Sequence, residues 1–252
     1  MARYLARAAF YLALVILWEG LFRLHLWPPY LFPSPVQVLE TLARGFQDRT
    51  MLFGMAISLK RIALGYGVAT FLGIALGVSL GASRWLEETV GPLVMGLQAL
   101  PSICWLPLAL LWFGLNEKAI IFVVVIGALF SITIATQSGI RQVPPIYVHA
   151  ARTMGAGGLR LFREIMIPGA LPSIIIGMKQ GWSFAWRSLM AGELLFVSLG
   201  LGHLLMMGRE LNDMSQVLAV MVVIVAIGLV VDRAIFGPVE RGIRQRWGME
   251  KA

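Results

Sequence analysis

Residues 119–140 read AIIFVVVIGALFSITIATQSGI, an apolar run without a charged side chain. As a helix it is long enough to cross bilayer hydrocarbon, which takes about 20 residues. The next stretch is different in kind. After Arg141 the chain turns polar and glycine-rich, through HAARTMGAGGLRLFREIMIP at 149–168, before apolar residues resume. A membrane span, a structured polar segment and a second span therefore adjoin one another directly.

The composition has the same origin. Of 252 residues, 58% are hydrophobic and 13% charged, where a soluble domain carries about 25% charged. That leaves too few polar side chains to cover a water-facing surface. Further spans are expected at 8–26, 57–81, 89–113, 170–197 and 214–236. The architecture expected is an all-α, polytopic membrane helical bundle of about six transmembrane helices. It forms a single domain over 1–252, with a structured loop at 141–168. The first run follows Arg3 and Arg7 and lacks a small-residue cleavage pattern, so it is expected to be retained rather than removed as a signal. After a Pro-rich break (Pro28, Pro29, Pro33, Pro35), Val36–Phe53 has the pattern of an amphipathic helix too charged to cross.

With the N-terminus inside, twelve Arg and Lys fall on inner segments and seven on outer ones. This bias places both termini and the 141–168 loop in the cytoplasm of an inner-membrane protein. It also accounts for the net charge of +8 without a nucleic-acid partner. Cys104 stands alone, so no intrachain disulfide can form, and His25, His149 and His203 have no metal-site spacing. No lysine follows a glycine, which rules out a GxxxxGK[ST] phosphate loop. There is no catalytic triad or carboxylate pair either. The chain is expected to be neither an enzyme nor a cofactor binder.

Within the spans, Gly65, Ala69, Gly73, Gly77 and Gly81 recur every four residues and put small side chains on one face, where a neighbouring helix can approach closely. The third span carries Pro92, Pro101 and Pro107. Prolines interrupt helices, and broken backbone survives in a membrane only beside protein or a water-filled cavity. That span is therefore expected to lie inside the bundle and to line a pathway. Ionisable groups at membrane depth are costly and point to function. Glu19, Arg187 and Glu193 are such groups, with Lys179 nearer the cytoplasmic end. Arg187 and Glu193 are six positions apart and share no helix face. Arg187 either faces the pathway and attracts an anion or pairs with a glutamate of a neighbouring helix. Trp105, Trp112, Trp182 and Trp186 either gate the pathway or fill the core, while Trp18, Trp27, Trp85 and Trp247 fall near membrane interfaces. Pro101, Trp105, Arg187 and Glu193 are the candidate pathway residues.

The loop has a legible local logic. Pro144 and Pro145 suit a helix start, Tyr147–Met154 continues the helix, and Gly155, Gly157 and Gly158 stop it. A second short helix is expected over Leu159–Met166, closed by Pro168. Such a helix–turn–helix at the membrane face suits a partner outside the membrane.

On these residues the segment resembles the cytoplasmic loop of ABC importer permeases. That signature is a Glu-Ala-Ala triplet, a glycine four positions after the last alanine, and an Ile-x-Leu-Pro ending. Ala150, Ala151, Gly155, Ile165 and Pro168 fall in register, Ile167 replaces leucine, and His149 stands where glutamate is usual. Pro33-Ser-Pro35, Ser58-Leu-Lys-Arg61, Leu100-Pro101 through Trp112-Phe113-Gly114, and Ala191-Gly192-Glu193 with Gly200-Leu201-Gly202 are similar to the nitrate, taurine and alkanesulfonate branch. The resemblance implies a permease homodimer that forms a pathway for a small anionic solute. It also implies separate cytoplasmic ATPase subunits that contact His149, Ala150, Ala151 and Gly155, an extracytoplasmic solute-binding protein, and surrounding lipid. A self-sufficient secondary transporter or channel is the rival reading, and it would need coupling-ion sites and commonly paired broken helices. A membrane scaffold without transport is a third.

Overall fold

The structure, a computed structural model, describes residues 2–195 and 199–246. Val197, at the expected end of the fifth span, and Trp247 and Lys251 lie outside the described residues. The helices are α1 (Ala2–Arg23), α2 (Pro35–Gln47), α3 (Thr50–Ala82), α4 (Arg84–Ala99), α5 (Leu106–Phe113), α6 (Glu117–Arg141), α7 (Pro145–Thr153), α8 (Gly158–Leu161), α9 (Ile167–Leu195), α10 (Leu201–Glu210), α11 (Met214–Val231) and α12 (Gly237–Arg246). Among the described residues there is no strand. Five helical stretches are long and apolar enough to cross a membrane, and α4 with α5 makes a sixth if that bent pair counts as one span. The chain is an all-α polytopic membrane protein.

Packing divides it into two compact units, residues 1–58 with 193–227 and residues 59–192 with 228–252. In the first, α2 opens with a reciprocal cap. The Gln37 amide N–H donates to Ser34 Oγ at 3.2 Å, and the Gln37 side chain accepts from the Ser34 N–H at 2.9 Å. Pro35 occupies the first turn, where its missing N–H costs nothing. The amphipathic helix expected over Val36–Phe53 is two helices. Arg49 adopts a positive φ of 65°, and Asp48 accepts the N–H and hydroxyl of Thr50 at 2.9 and 2.6 Å, which starts α3 on a new axis. Those bonds, the hydroxyl first, hold the Asp48 carboxyl below its usual pKa. The turn's contribution is therefore present at neutral pH and fades as pH falls through that lowered value.

In the second unit, the short side chains of α3 meet α6. A Cβ on Gly77 would lie 2.5 Å from the Thr133 carbonyl oxygen, and one on Gly65 2.7 Å from Val124. On another side of α6, a Cβ on Gly177 of α9 would lie 2.3 Å from Ala135. More than half of the α6 apolar window is buried, and none of the α1 window is. Helix α6 is the central element of this unit.

The third span differs from expectation. Pro92 lies inside a continuous α4, and Pro107 falls in the first turn of α5, where it is tolerated. Only Pro101 breaks the path. It forces Leu100 into extended geometry (φ −74°, ψ 125°), and a 3-10 turn at Ser102–Trp105 follows. The two halves meet at 100°. The second loop helix also differs. After α8 a π-helical turn at Phe162–Met166 runs directly into α9, so Pro168 does not close a helix but sits in the first turn of the next. A second π turn at Asp232–Phe236 precedes Pro238. In both cases the widened turn makes room where the proline ring would meet the carbonyl four residues back.

Gly77→Leu should lower the melting temperature of the detergent-solubilised protein, since overpacking costs about 1–3 kcal/mol and more where backbone blocks the space. Gly67→Ala, with nothing within 4 Å of its Cβ position, should leave it unchanged or slightly raised.

Candidate functional site

The spacing of the 149–168 segment has a geometric cause. Helix α7 ends with the Gly155 N–H bonded to the Arg152 carbonyl at 3.0 Å and the Ala156 N–H to the Ala151 carbonyl at 2.9 Å. These are the two bonds of a Schellman stop, and they require a left-handed residue four positions after the alanine that accepts. Gly155 supplies it with φ of 86°. Ala151 is buried, while His149 and Ala150 are exposed, and the His149 carbonyl accepts the Thr153 hydroxyl at 3.0 Å.

Ala150, Ala151, Ile165 and Pro168 share a cavity of about 420 Å³ beneath the loop, whereas His149 and Gly155 do not line it. Arg160 and Glu164 pair across one turn at 3.2 Å. Around this loop Ile146, Met154 and Leu159 are 71%, 87% and 82% exposed, an apolar edge left uncovered by the described residues.

The second site lies at the Pro101 bend. Pro101, Trp105 and Arg187 come together around a cavity of about 260 Å³ in the second unit, joined by Gln98, Ser102 and Ser131. Glu193 is not among its lining residues. The Arg187 guanidinium carbon sits 5.4 Å from the Phe184 ring centroid. Among the described residues no carboxylate pairs with it, so the ion-pair alternative has no support there. Sequence reasoning missed Ser131, a hydroxyl set inside the long apolar run of α6. Lys179, Trp182, Trp186 and Arg187, each legible singly in the sequence, form with Ser183 one stripe on α9 at helical spacing and line a second cavity with Asp232 and Phe236. That spacing was visible in the sequence. Lys179 Nζ is 2.7 Å from Asp232 and 3.8 Å from Glu240, so this cation, unlike Arg187, is matched by acids.

Glu193 belongs to a buried polar node in the first unit. The Ser58 hydroxyl donates to its carboxylate, 2.8 and 2.7 Å from the two oxygens, and accepts the Leu201 N–H at 2.9 Å. The Gly202 N–H adds a bond of 2.9 Å. A Cβ on Gly202 would stand 2.4 Å from Glu193 Cβ, and one on Gly200 2.6 Å from its Cδ. The Gly-Leu-Gly stretch is there to let backbone reach the carboxylate. Glu19, the remaining membrane carboxylate, pairs with Arg23 at 2.8 Å on the exposed side of α1.

The family described as binding-protein-dependent transport system inner membrane component matches residues 69–244. A putative ABC transporter permease protein of Methanocaldococcus jannaschii is 36% identical, over 88% of this chain and 84% of that protein. The taurine transport system permease protein TauC of Escherichia coli is 30% identical, over 87% of this chain and 82% of that one. The nitrate import permease protein NrtB of Synechocystis is 31% identical, over 81% and 77%. Among solved structures, an amino acid ABC transporter with histidines has a TM-score of 0.66 at 16% identity, covering 79% of this chain and 97% of that one. The inward-facing methionine ABC transporter MetNI has 0.62 at 19% identity, covering 73% and 94%. At these identities the two structures establish the fold alone.

Ser58→Ala should lower thermal stability by roughly 1–3 kcal/mol, because it strips a donor from a buried carboxylate and leaves the Leu201 N–H unpaired. Thermal unfolding in detergent checks this, and a loss under ~0.5 kcal/mol would show the node to be structurally idle.

Proposed function

The chain belongs to the family of binding-protein-dependent transport system inner membrane components, and from that membership we propose that it forms half of a translocation pathway for a small anionic solute. It is a permease subunit of an ABC importer and not itself an enzyme. Two copies enclose the pathway, and both termini and the 141–168 loop face the cytoplasm. Separate ATPase subunits hold that loop. A solute-binding protein delivers cargo on the opposite side, and lipid surrounds the assembly.

The observation that carries the reading is the loop: a helix fixed at its end by the Gly155 stop, with exposed Ile146, Met154 and Leu159 around it. Burying these three against a partner recovers about 1.5–3 kcal/mol for each fully buried side chain, enough to seat the knob in a groove. When ATP draws the ATPase pair together, a knob that cannot bend passes the displacement along α9, which the loop joins through one π turn and no free linker. Cargo enters with the pathway open outward, and hydrolysis restores the resting state. His149, in place of the usual glutamate, lies on the exposed side of α7 and changes the charge offered to the partner, not the loop's own hydrogen bonds. The anionic character of the solute is supported by Arg187, which faces a cavity without an acidic partner among the described residues. Of two relatives, a nitrate permease is named for an anion and a taurine permease for a zwitterion that carries a sulfonate.

Affinity purification of the tagged chain should bring down an ATPase subunit. Met154→Lys, at a largely exposed side chain, should cut its recovery several-fold, and Gly155→Val, which strains the helix stop, should uncouple ATP hydrolysis from transport. A chain that purifies alone and transports without ATP would instead be a self-sufficient secondary transporter.

A further inference from the structure

The cavity at the Pro101 bend has wall polar groups of a consistent kind. Its polar side chains are Gln98, Ser102, Trp105, Ser131 and Arg187, with no carboxylate. Two of their donors are idle. A buried helical serine or threonine ordinarily turns its hydroxyl back onto the carbonyl four residues earlier. Thr133 does so on Leu129, and Ser188 on Phe184, both at 2.8 Å. Ser131, on the same helix as Thr133 and only 3% exposed, does not, and its hydroxyl has no partner among the described residues. The Trp105 indole N–H is buried and unpartnered in the same way. Leaving such groups unpaired is costly, and here both occur on the walls of one cavity that also holds a guanidinium with no ion pair among the described residues.

We infer that this cavity is an oxyanion subsite, in which Arg187 supplies the charge and the Trp105 N–H and Ser131 hydroxyl supply directed hydrogen bonds. The inference rests on the pathway reading and deepens it. A lone arginine attracts any anion, whereas this set of donors rewards oxygen acceptors carrying charge, the sulfonate, nitrate or bicarbonate type. Hydrogen bonds to ionised acceptors are shorter and stronger than neutral ones, and stronger again out of water. A neutral solute of the same shape would meet the guanidinium without compensation. At about 260 Å³, the space suits a solute displacing several waters of ~30 Å³ each. Selection is then made in the permease as well as in the binding protein.

The test uses the full chain in lipid nanodiscs, titrated calorimetrically with methanesulfonate and, separately, with dimethyl sulfone, its uncharged isostere. Methanesulfonate should bind at least tenfold more tightly than the sulfone. Trp105→Phe, which removes the N–H and narrows the ring, and Ser131→Ala, which removes only a hydroxyl, should each weaken methanesulfonate about tenfold, the order expected for a hydrogen bond to a charged group. Arg187→Gln should abolish the preference over the sulfone, while Arg84→Gln, on an exposed pair with Glu88, should change nothing. Equal binding of anion and sulfone, or wild-type affinity in both Trp105→Phe and Ser131→Ala, overturns the subsite. If that happens while an ATPase subunit still co-purifies, the permease reading stands and only the subsite falls. Anion discrimination in a chain that recruits no ATPase would overturn the permease reading and keep the subsite.

Discussion

Helix α6 can lie against both α3 and α9 only because glycines face it from two sides, with backbone or side-chain atoms already where a Cβ would go. In hydrocarbon, apolar helices gain nothing from leaving lipid, so close van der Waals approach must do the work that burial does in water. The stripe on α3 and the glycines of α9 are thus the condition for the second unit to exist as a packed body. The cavity at the Pro101 bend depends on it, since α6 contributes Ser131 and α9 contributes Arg187. Had either helix stood off by a side chain's width, the donors would not share a wall.

Irregular backbone appears where that packing can shelter it. The 100° bend at Pro101 and the two π turns each free backbone groups that lipid could not satisfy. Each is placed with purpose. The bend opens a cavity lined by both of its arms, one π turn joins the loop helices α7 and α8 to α9, and the other carries Asp232 to Lys179. Pro92 and Pro107 show that proline alone does not dictate a break. What matters is whether the residue before it can stay helical and whether an N–H was needed at that position.

The charges sort by their company. Lys179 meets two acids, Arg61 reaches Glu117 at 3.2 Å, and the Glu193 carboxylate is held by a hydroxyl and a backbone amide. Such partners offset part of the desolvation that makes buried charge expensive. Arg187 has an aromatic face instead, a weaker partner.

Much was legible before any tertiary contact was known. Run lengths without charge announce membrane helices because hydrocarbon admits little else. The four-residue glycine period announces a close helix contact, and the Ala151-to-Gly155 spacing announces a helix stop, since each follows from local geometry. The sequence could not say which helix meets the glycine face, which of three prolines bends the chain, or that Ser131, Trp105 and Arg187 share one cavity while Glu193 does not. Those are facts of three-dimensional proximity between residues far apart in the chain. Local periodicity fixes the face on which a side chain lies, and only packing decides what that face meets.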